Sequence, residues 1–62
     1  MIVVHKMNGD EIVLNDNHIE TVESRPDTVI TMTNDRKYLV KETVEEVLGK
    51  IREHQRSLFV KE

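Results

Sequence analysis

The 62-residue chain has no cysteine and no tryptophan, two aromatic residues, two glycines and one proline. Without cysteine there are no disulfides and no thiolate metal ligands, the devices that commonly hold together chains of this size. Apolar residues are also few, at 37%, where soluble domains hold about 45–50% with glycine counted. A domain of about 60 residues buries only about 60% of the surface of its unfolded chain. A lone core of that size supplies about 3–5 kcal/mol. So small a core leaves nothing over to wall off a water-free catalytic cleft. Residues 1–62 are therefore expected to form one non-enzymatic domain, and a homo-oligomer is the remaining source of stability.

The net charge is −3, and the excess lies wholly in residues 1–40, while residues 41–62 balance. Neither part offers the basic excess that phosphate backbones attract, so no nucleic-acid partner is expected. No apolar run approaches the roughly 18 residues of a membrane span, which excludes direct insertion by a helix. The opening Met1-Ile2-Val3-Val4 lacks the basic region, long apolar core and small-residue cleavage site of a signal peptide. The expected location is cytoplasmic.

What the chain does have is a run of short strands punctuated by turns. Ile2 to Met7 is β-branched at its start, and Glu11-Ile12-Val13-Leu14 supplies a returning strand. Asn8-Gly9 between them predicts a type I′ hairpin turn, since both residues tolerate positive φ. Asn15-Asp16-Asn17 is a polar cluster whose side chains bond nearby backbone and break the ladder. In the third segment, His18 to Ser24, Ile19 and Val22 are three apart rather than two. That spacing predicts either a β-bulge or a residue facing another surface. Arg25-Pro26-Asp27-Thr28 reads as a type I turn. Val29 to Thr33 is a further strand, Asn34-Asp35 a tight turn, and Tyr38-Leu39-Val40 the last strand.

The period then changes from two to 3.6. Val44, Val47, Leu48 and Ile51 form one stripe of an amphipathic helix placed at about 43–57. Thr43 and Glu46 match a capping box. Glu45 and Glu46 near the start, and Arg52 and Arg56 near the end, complement the helix dipole. The fold class is therefore α+β: a small antiparallel sheet of about five short strands over residues 2–40, then one C-terminal helix. Leu58-Phe59-Val60 lies in a short tail, residues 58–62, where contiguous apolar residues need cover. They are the candidate contact with another subunit or partner, with packing on the chain's own sheet as the alternative.

The residues that carry chemistry are dispersed. His5, His18 and His54 have no neighbouring histidine at ligand spacing, and zinc wants three or four converging ligands. The oxygen-rich stretch from Asp10 to Glu20 fails as an EF-hand loop. The required glycine and glutamate positions fall on Thr21 and Asp27, or on Asn15 and Thr21. Ser24 and Ser57 stand apart from any oriented base, and Thr21, Thr28, Thr31, Thr33 and Thr43 fit strand or cap positions. Two glycines make no phosphate-cradling loop. Tyr38 beside Arg36 and Lys37 is the one aromatic–basic juxtaposition, and a solvated turn explains it. No cofactor and no metal is expected.

The ordered set Met1-Ile2, Met7-Asn8-Gly9, Leu14-Asn15, Ile19 to Glu23, Pro26 to Asn34 and Lys37 to Glu42 resembles the flagellar FlbD/SwrD family. The resemblance covers roughly Met1 to Ile51, and its turn residues here are Asn8, Gly9, Pro26, Asp27, Thr28 and Asn34. It implies an accessory role in flagellar motility and swarming, supporting motor power, with the stator as the suspected beneficiary. It brings no catalytic or cofactor residues. Asp35 departs from the glycine that the family pattern favours after Asn34. A rival resemblance is to the carbon storage regulator family, RNA-binding dimers with the same layout of five strands and a helix. Its glycine-asparagine-alanine-proline segment is missing here, and the net charge disfavours RNA.

Overall fold

The computed structural model describes residues 1–59, with side chains described through Arg56. Five strands precede a helix: β1 (Ile2–His5), β2 (Glu11–Leu14), β3 (Ile19–Ser24), β4 (Thr28–Met32), β5 (Lys37–Val40) and α1 (Val44–Phe59). This is the expected α+β arrangement of antiparallel strands followed by a helix. The strands divide, however, into two ladders, β1-β2 and β3-β4-β5, rather than forming one sheet. The break follows from the polar cluster after β2. Asn15 Oδ1 accepts the Asn17 amide at 3.0 Å and caps a short 3-10 turn, Asp16–His18. That turn carries the chain off β2 before β3 begins. The ladders meet through one isolated bridge, Lys6 to Val40, where the Lys41 amide donates to the His5 carbonyl at 2.8 Å.

The two tight hairpins share one geometry. The Gly9 amide donates to the Lys6 carbonyl and the Lys6 amide to the Asp10 carbonyl, with Gly9 at φ 97°. This is a turn followed by a left-handed bulge residue, the usual form of a three-residue hairpin loop. It replaces the expected type I′ turn, which would require positive φ at Asn8 as well. Instead Asn8 keeps negative φ and its Oδ1 accepts the Asp10 amide at 2.9 Å. Between β4 and β5 the Asp35 amide donates to Met32 and the Met32 amide to Arg36. Asn34 Oδ1 accepts the Arg36 amide at 3.1 Å, and Asp35 sits at φ 72°, where the first hairpin has glycine.

The β3–β4 pairing carries a register shift between Ile19 and Thr21, the bulge that their spacing with Val22 anticipates. In the loop between these strands the Arg25 amide donates to the Asp27 carbonyl at 2.8 Å. The Ser24 hydroxyl donates to the Pro26 carbonyl at 3.1 Å. A type I turn would instead be closed by the Thr28 amide. Thr28 is buried as the first residue of β4, and its pairing with Ser24 and Val40 directs it into the ladder.

Both ladders and the helix contribute to one core: Ile2, Val4 and Leu14 from the first, Ile30, Met32 and Val40 from the second, and Val47 from α1. Val47 is fully enclosed, while Val44 and Ile51 are half-buried beside it and Leu48 lies at the exposed margin of the stripe. The capping box forms as expected. The Thr43 amide donates to Glu46 Oε1 at 2.9 Å, and the Glu46 amide donates to Thr43 Oγ1 at 3.1 Å. The helix extends to Phe59, two residues beyond the expected end.

The shared hairpin geometry yields a test. A non-glycine residue in the left-handed region costs about 1 kcal/mol or more. No neighbouring atom lies within 4 Å of a Cβ added at Gly9, so the cost there is conformational rather than a clash. Asp35→Gly is predicted to stabilise the chain by about 1 kcal/mol, raising Tm by roughly 4–8 °C. Gly9→Ala is predicted to destabilise it by a similar amount. Thermal melts followed by circular dichroism check both, and an unchanged Tm for Asp35→Gly would refute the assignment.

Candidate functional site

Two carboxylates, the half-buried Glu42 and the buried Asp16, organise the polar side chains. Glu42 follows β5 and reaches β1. Its Oε1 accepts the His5 amide at 2.9 Å, and its Oε2 lies 2.7 Å from His5 Nδ1. An ionised carboxylate only accepts, so Nδ1 carries the ring proton. The other ring nitrogen, Nε2, lies 3.8 Å from Glu11 Oε2 on β2. The Glu42 side chain is 13% exposed. Burial pushes its carboxyl up, but the hydrogen bonds from the His5 ring and amide outweigh that and hold it below the ordinary value.

Asp16 forms the second cluster. Its side chain is 0% exposed, and its Oδ1 accepts the Met1 ammonium at 2.8 Å. Its Oδ2 lies 2.9 Å from His54 Nδ1 on α1. His54 Nε2 is 3.3 Å from the Met1 nitrogen, so the ring, donating through Nδ1, can accept there. The bond from the amino terminus, then that from His54, lowers the Asp16 pKa to about 2 against the opposing effect of burial. Among the described residues every buried side-chain nitrogen or oxygen has a hydrogen-bond partner.

An open cleft of about 630 Å³ lies beside the first cluster, lined by His5, Lys41, Glu42, Glu46, Gly49, Lys50 and Glu53. Its charges are of both signs, Lys41 and Lys50 against Glu42, Glu46 and Glu53, and among these lining residues there is no hydroxyl or thiol to act as a nucleophile. Three of the described hydroxyls have structural work elsewhere. Thr43 caps the helix, Ser24 closes a loop and Thr31 Oγ1 accepts from Lys37 Nζ at 3.3 Å. Among the described residues no group of three or more His, Asp or Glu is placed to hold a metal ion. Among the described residues no helix is long and apolar enough to cross a membrane.

The residues singled out from the sequence do not converge. Asn8 and Gly9 lie at the tip of the first hairpin, Asn34 at the tip of the second, and Pro26 and Asp27 in the β3–β4 loop leading into Thr28. Leu58 and Phe59 belong to the last turn of α1 by their backbone; their side chains and all of Val60 lie outside the described residues. Asp16, which reads as turn chemistry in the sequence, and Glu42 are the functional candidates that only the structure brings out. Nothing in their local sequence marks them: Asp16 sits within a polar turn, Asn15-Asp16-Asn17, and Glu42 follows Lys41 in the short link to the helix. Their partners are 38 and 37 residues away, beyond any periodic pattern.

Both carboxylates set a pH dependence with a definite sign. A group whose folded pKa is depressed contributes stability above its ordinary value and loses it as pH falls through the folded value. Stability is therefore predicted to be full above about pH 4.5 and to fall as pH drops through the range from 3.8 to about 2, where Asp16 takes up its proton. Asp16→Asn is predicted to cost on the order of 2 kcal/mol at neutral pH, since it weakens hydrogen bonds from charged donors. It is also predicted to flatten the acid limb of a Tm-against-pH curve. A variant that keeps the wild-type slope would show that Asp16 does not carry the effect.

The comparisons with known proteins agree with the resemblance read from the turns. No curated protein and no solved structure matches the chain. The family described as FlbD: Flagellar and Swarming motility proteins matches residues 1–59. The match takes in both hairpins, the Asp16 and Glu42 clusters and the helix, so the chain belongs to the FlbD family of flagellar and swarming motility proteins.

Proposed function

We propose that the chain is a non-enzymatic accessory protein that supports flagellar motor power during swarming. It works by protein contact with or through the stator, at the cytoplasmic side of the motor, and as a homo-oligomer. The observation that carries this reading is the family match over residues 1–59. The distribution of side chains supports it. The buried polar groups are spent on joining strands and helix, while Val3, Val13 and Leu39 stand exposed on outer strand faces. Exposed apolar groups on a rigid scaffold suit contact with other proteins better than chemistry. An RNA-binding role finds no support in the charge, which is −3 overall.

The test is a deletion strain scored for swarming and for motor torque, with flagella counted separately. The expected outcome is reduced torque at an unchanged number of flagella. Normal torque would overturn the reading. A gel shift with tight, salt-sensitive RNA binding would replace it by the regulator reading.

A further inference from the structure

Among the described residues the two ladders end in two outer edges, β2 and β3, and they are protected very differently. β3 is interrupted by the register shift at Ile19–Thr21, and the Thr33 amide donates to His18 beside its start. Bulges of this kind blunt an edge against further pairing. β2 is short but regular, with no bulge in its pairing to β1 and no proline or lysine among its residues. Such an edge is a template for another strand.

The register fixes what this edge offers. Lys6 turns its backbone toward Asp10, and the Lys41 amide and the Glu42 carboxylate reach the carbonyl and amide of His5 from the opposite side. His5–Glu11 is thus a pair whose backbone groups point away from each other, and by alternation so is Val3–Val13. On β1 the outward amide and carbonyl of His5 are satisfied by Glu42 and Lys41. On β2 the corresponding groups of Glu11 and Val13 face outward at the open edge. Beside the exposed Glu11 carboxylate the edge carries apolar side chains: Val13 is 58% exposed, its cross-strand neighbour Val3 38%, and Ile12 is only half-buried on the inner face.

We propose that β2 pairs with β2 of a second copy about a two-fold axis at Ile12, extending the first ladder to four strands in the order β1-β2-β2-β1. In this register Glu11 lies opposite the partner's Val13, and Val13 opposite the partner's Glu11. Each outward amide of these two residues then meets an outward carbonyl, giving four backbone hydrogen bonds within the strand itself. The axis brings the two Ile12 side chains together on the inner face, continuous with Leu14 and the core. Carboxylates meet valines rather than each other, so the edge is complementary to itself. A two-fold contact also closes, leaving no free β2 edge to propagate a fibre. This inference deepens the oligomeric part of the proposed function and supplies its surface, while the motility role stands or falls on torque alone.

The test is light scattering on the full chain over micromolar to millimolar concentration, with a charge exchange across the axis. The wild type is expected at twice the 7.3 kDa chain mass. Val13→Glu sets two pairs of carboxylates opposite each other and is expected to weaken the dimer about tenfold or more. Val13 is largely exposed, so the fold, followed by circular dichroism, should be unaffected. Adding Glu11→Lys to Val13→Glu should restore the dimer, because each lysine then faces a glutamate. Because the chain has no cysteine, Ile12→Cys gives an unambiguous crosslink. Cα atoms at such a pair are about 4.5 Å apart, within disulfide range, so a disulfide dimer is expected on oxidation. A wild-type monomer throughout would overturn both this inference and the oligomeric reading. A dimer indifferent to Val13→Glu would overturn the β2 edge alone, and failure of the second charge to rescue, with no Ile12→Cys crosslink, would overturn the register.

Discussion

The arrangement of the two ladders depends on Glu42. A two-stranded hairpin is marginal by itself, and here it meets the three-stranded ladder at a single bridge. Glu42 reinforces that junction by accepting both the amide and the ring of His5. The residue lies between β5 and α1, so one carboxylate fixes the neighbour of β1 and the point from which the helix departs. Asp16 does the corresponding work at the other end, holding His54 of α1 and the amino terminus against the turn between the ladders. Buried charge pairs add little net stability over an apolar substitute, because desolvation offsets their attraction. Their value here is positional. An apolar contact between β1 and β5 would tolerate sliding, whereas a carboxylate accepting an amide and a ring proton from one residue does not.

The helix uses both fixed points. Its capping box sets the start beside Glu42, and His54 sets the later turns beside Asp16. Between them Val47 fills the space between the ladders and is completely enclosed. A stripe of four apolar residues with one fully buried member would be a weak attachment by itself. With polar contacts at both ends, the modest apolar area is enough to close a core drawn from both ladders.

These levels differ in how far the sequence discloses them. Turn and cap chemistry is local, so the loop breaks at Asn8-Gly9 and Asn34-Asp35, the bulge near Ile19 and the Thr43–Glu46 box were legible. Asn15, Asp16 and Asn17 were legible as a ladder break too, but not as a break between two sheets. That distinction depends on which strand becomes the neighbour of β1, and the answer comes from Glu42 and Lys41, more than thirty residues away. The hairpin type is not fixed by the dipeptide, because asparagine before glycine fits two geometries. In the one adopted, Asn8 uses its side chain to accept the Asp10 amide, an option that backbone preference alone does not reveal. Asp16 escaped notice because a buried carboxylate is an exception to composition rules, permitted only by donors that come from distant segments. Family membership was legible through the order of the turns, and the polar site behind it was not.

The left-handed Asp35 bears on association as well as on the hairpin. A cost of about 1 kcal/mol is a large fraction of the roughly 3–5 kcal/mol that so small a core supplies. A chain in that position has little margin for further unsatisfied groups, and an open strand edge leaves backbone groups to water alone. Pairing that edge adds hydrogen bonds and covers Ile12 and Val13 without changing the core, and anything that binds only the folded state stabilises it by mass action. On that proposal folding and association would be coupled, and the folded population would depend on the concentration of the chain. The chain's overall shortage of apolar residues, at 37%, has its counterpart in the proposed contact at β2. On the proposed pairing, the regular β2 edge, with Ile12 half-buried and Val13 exposed, is where a second copy would add cover that the chain's few apolar residues do not supply.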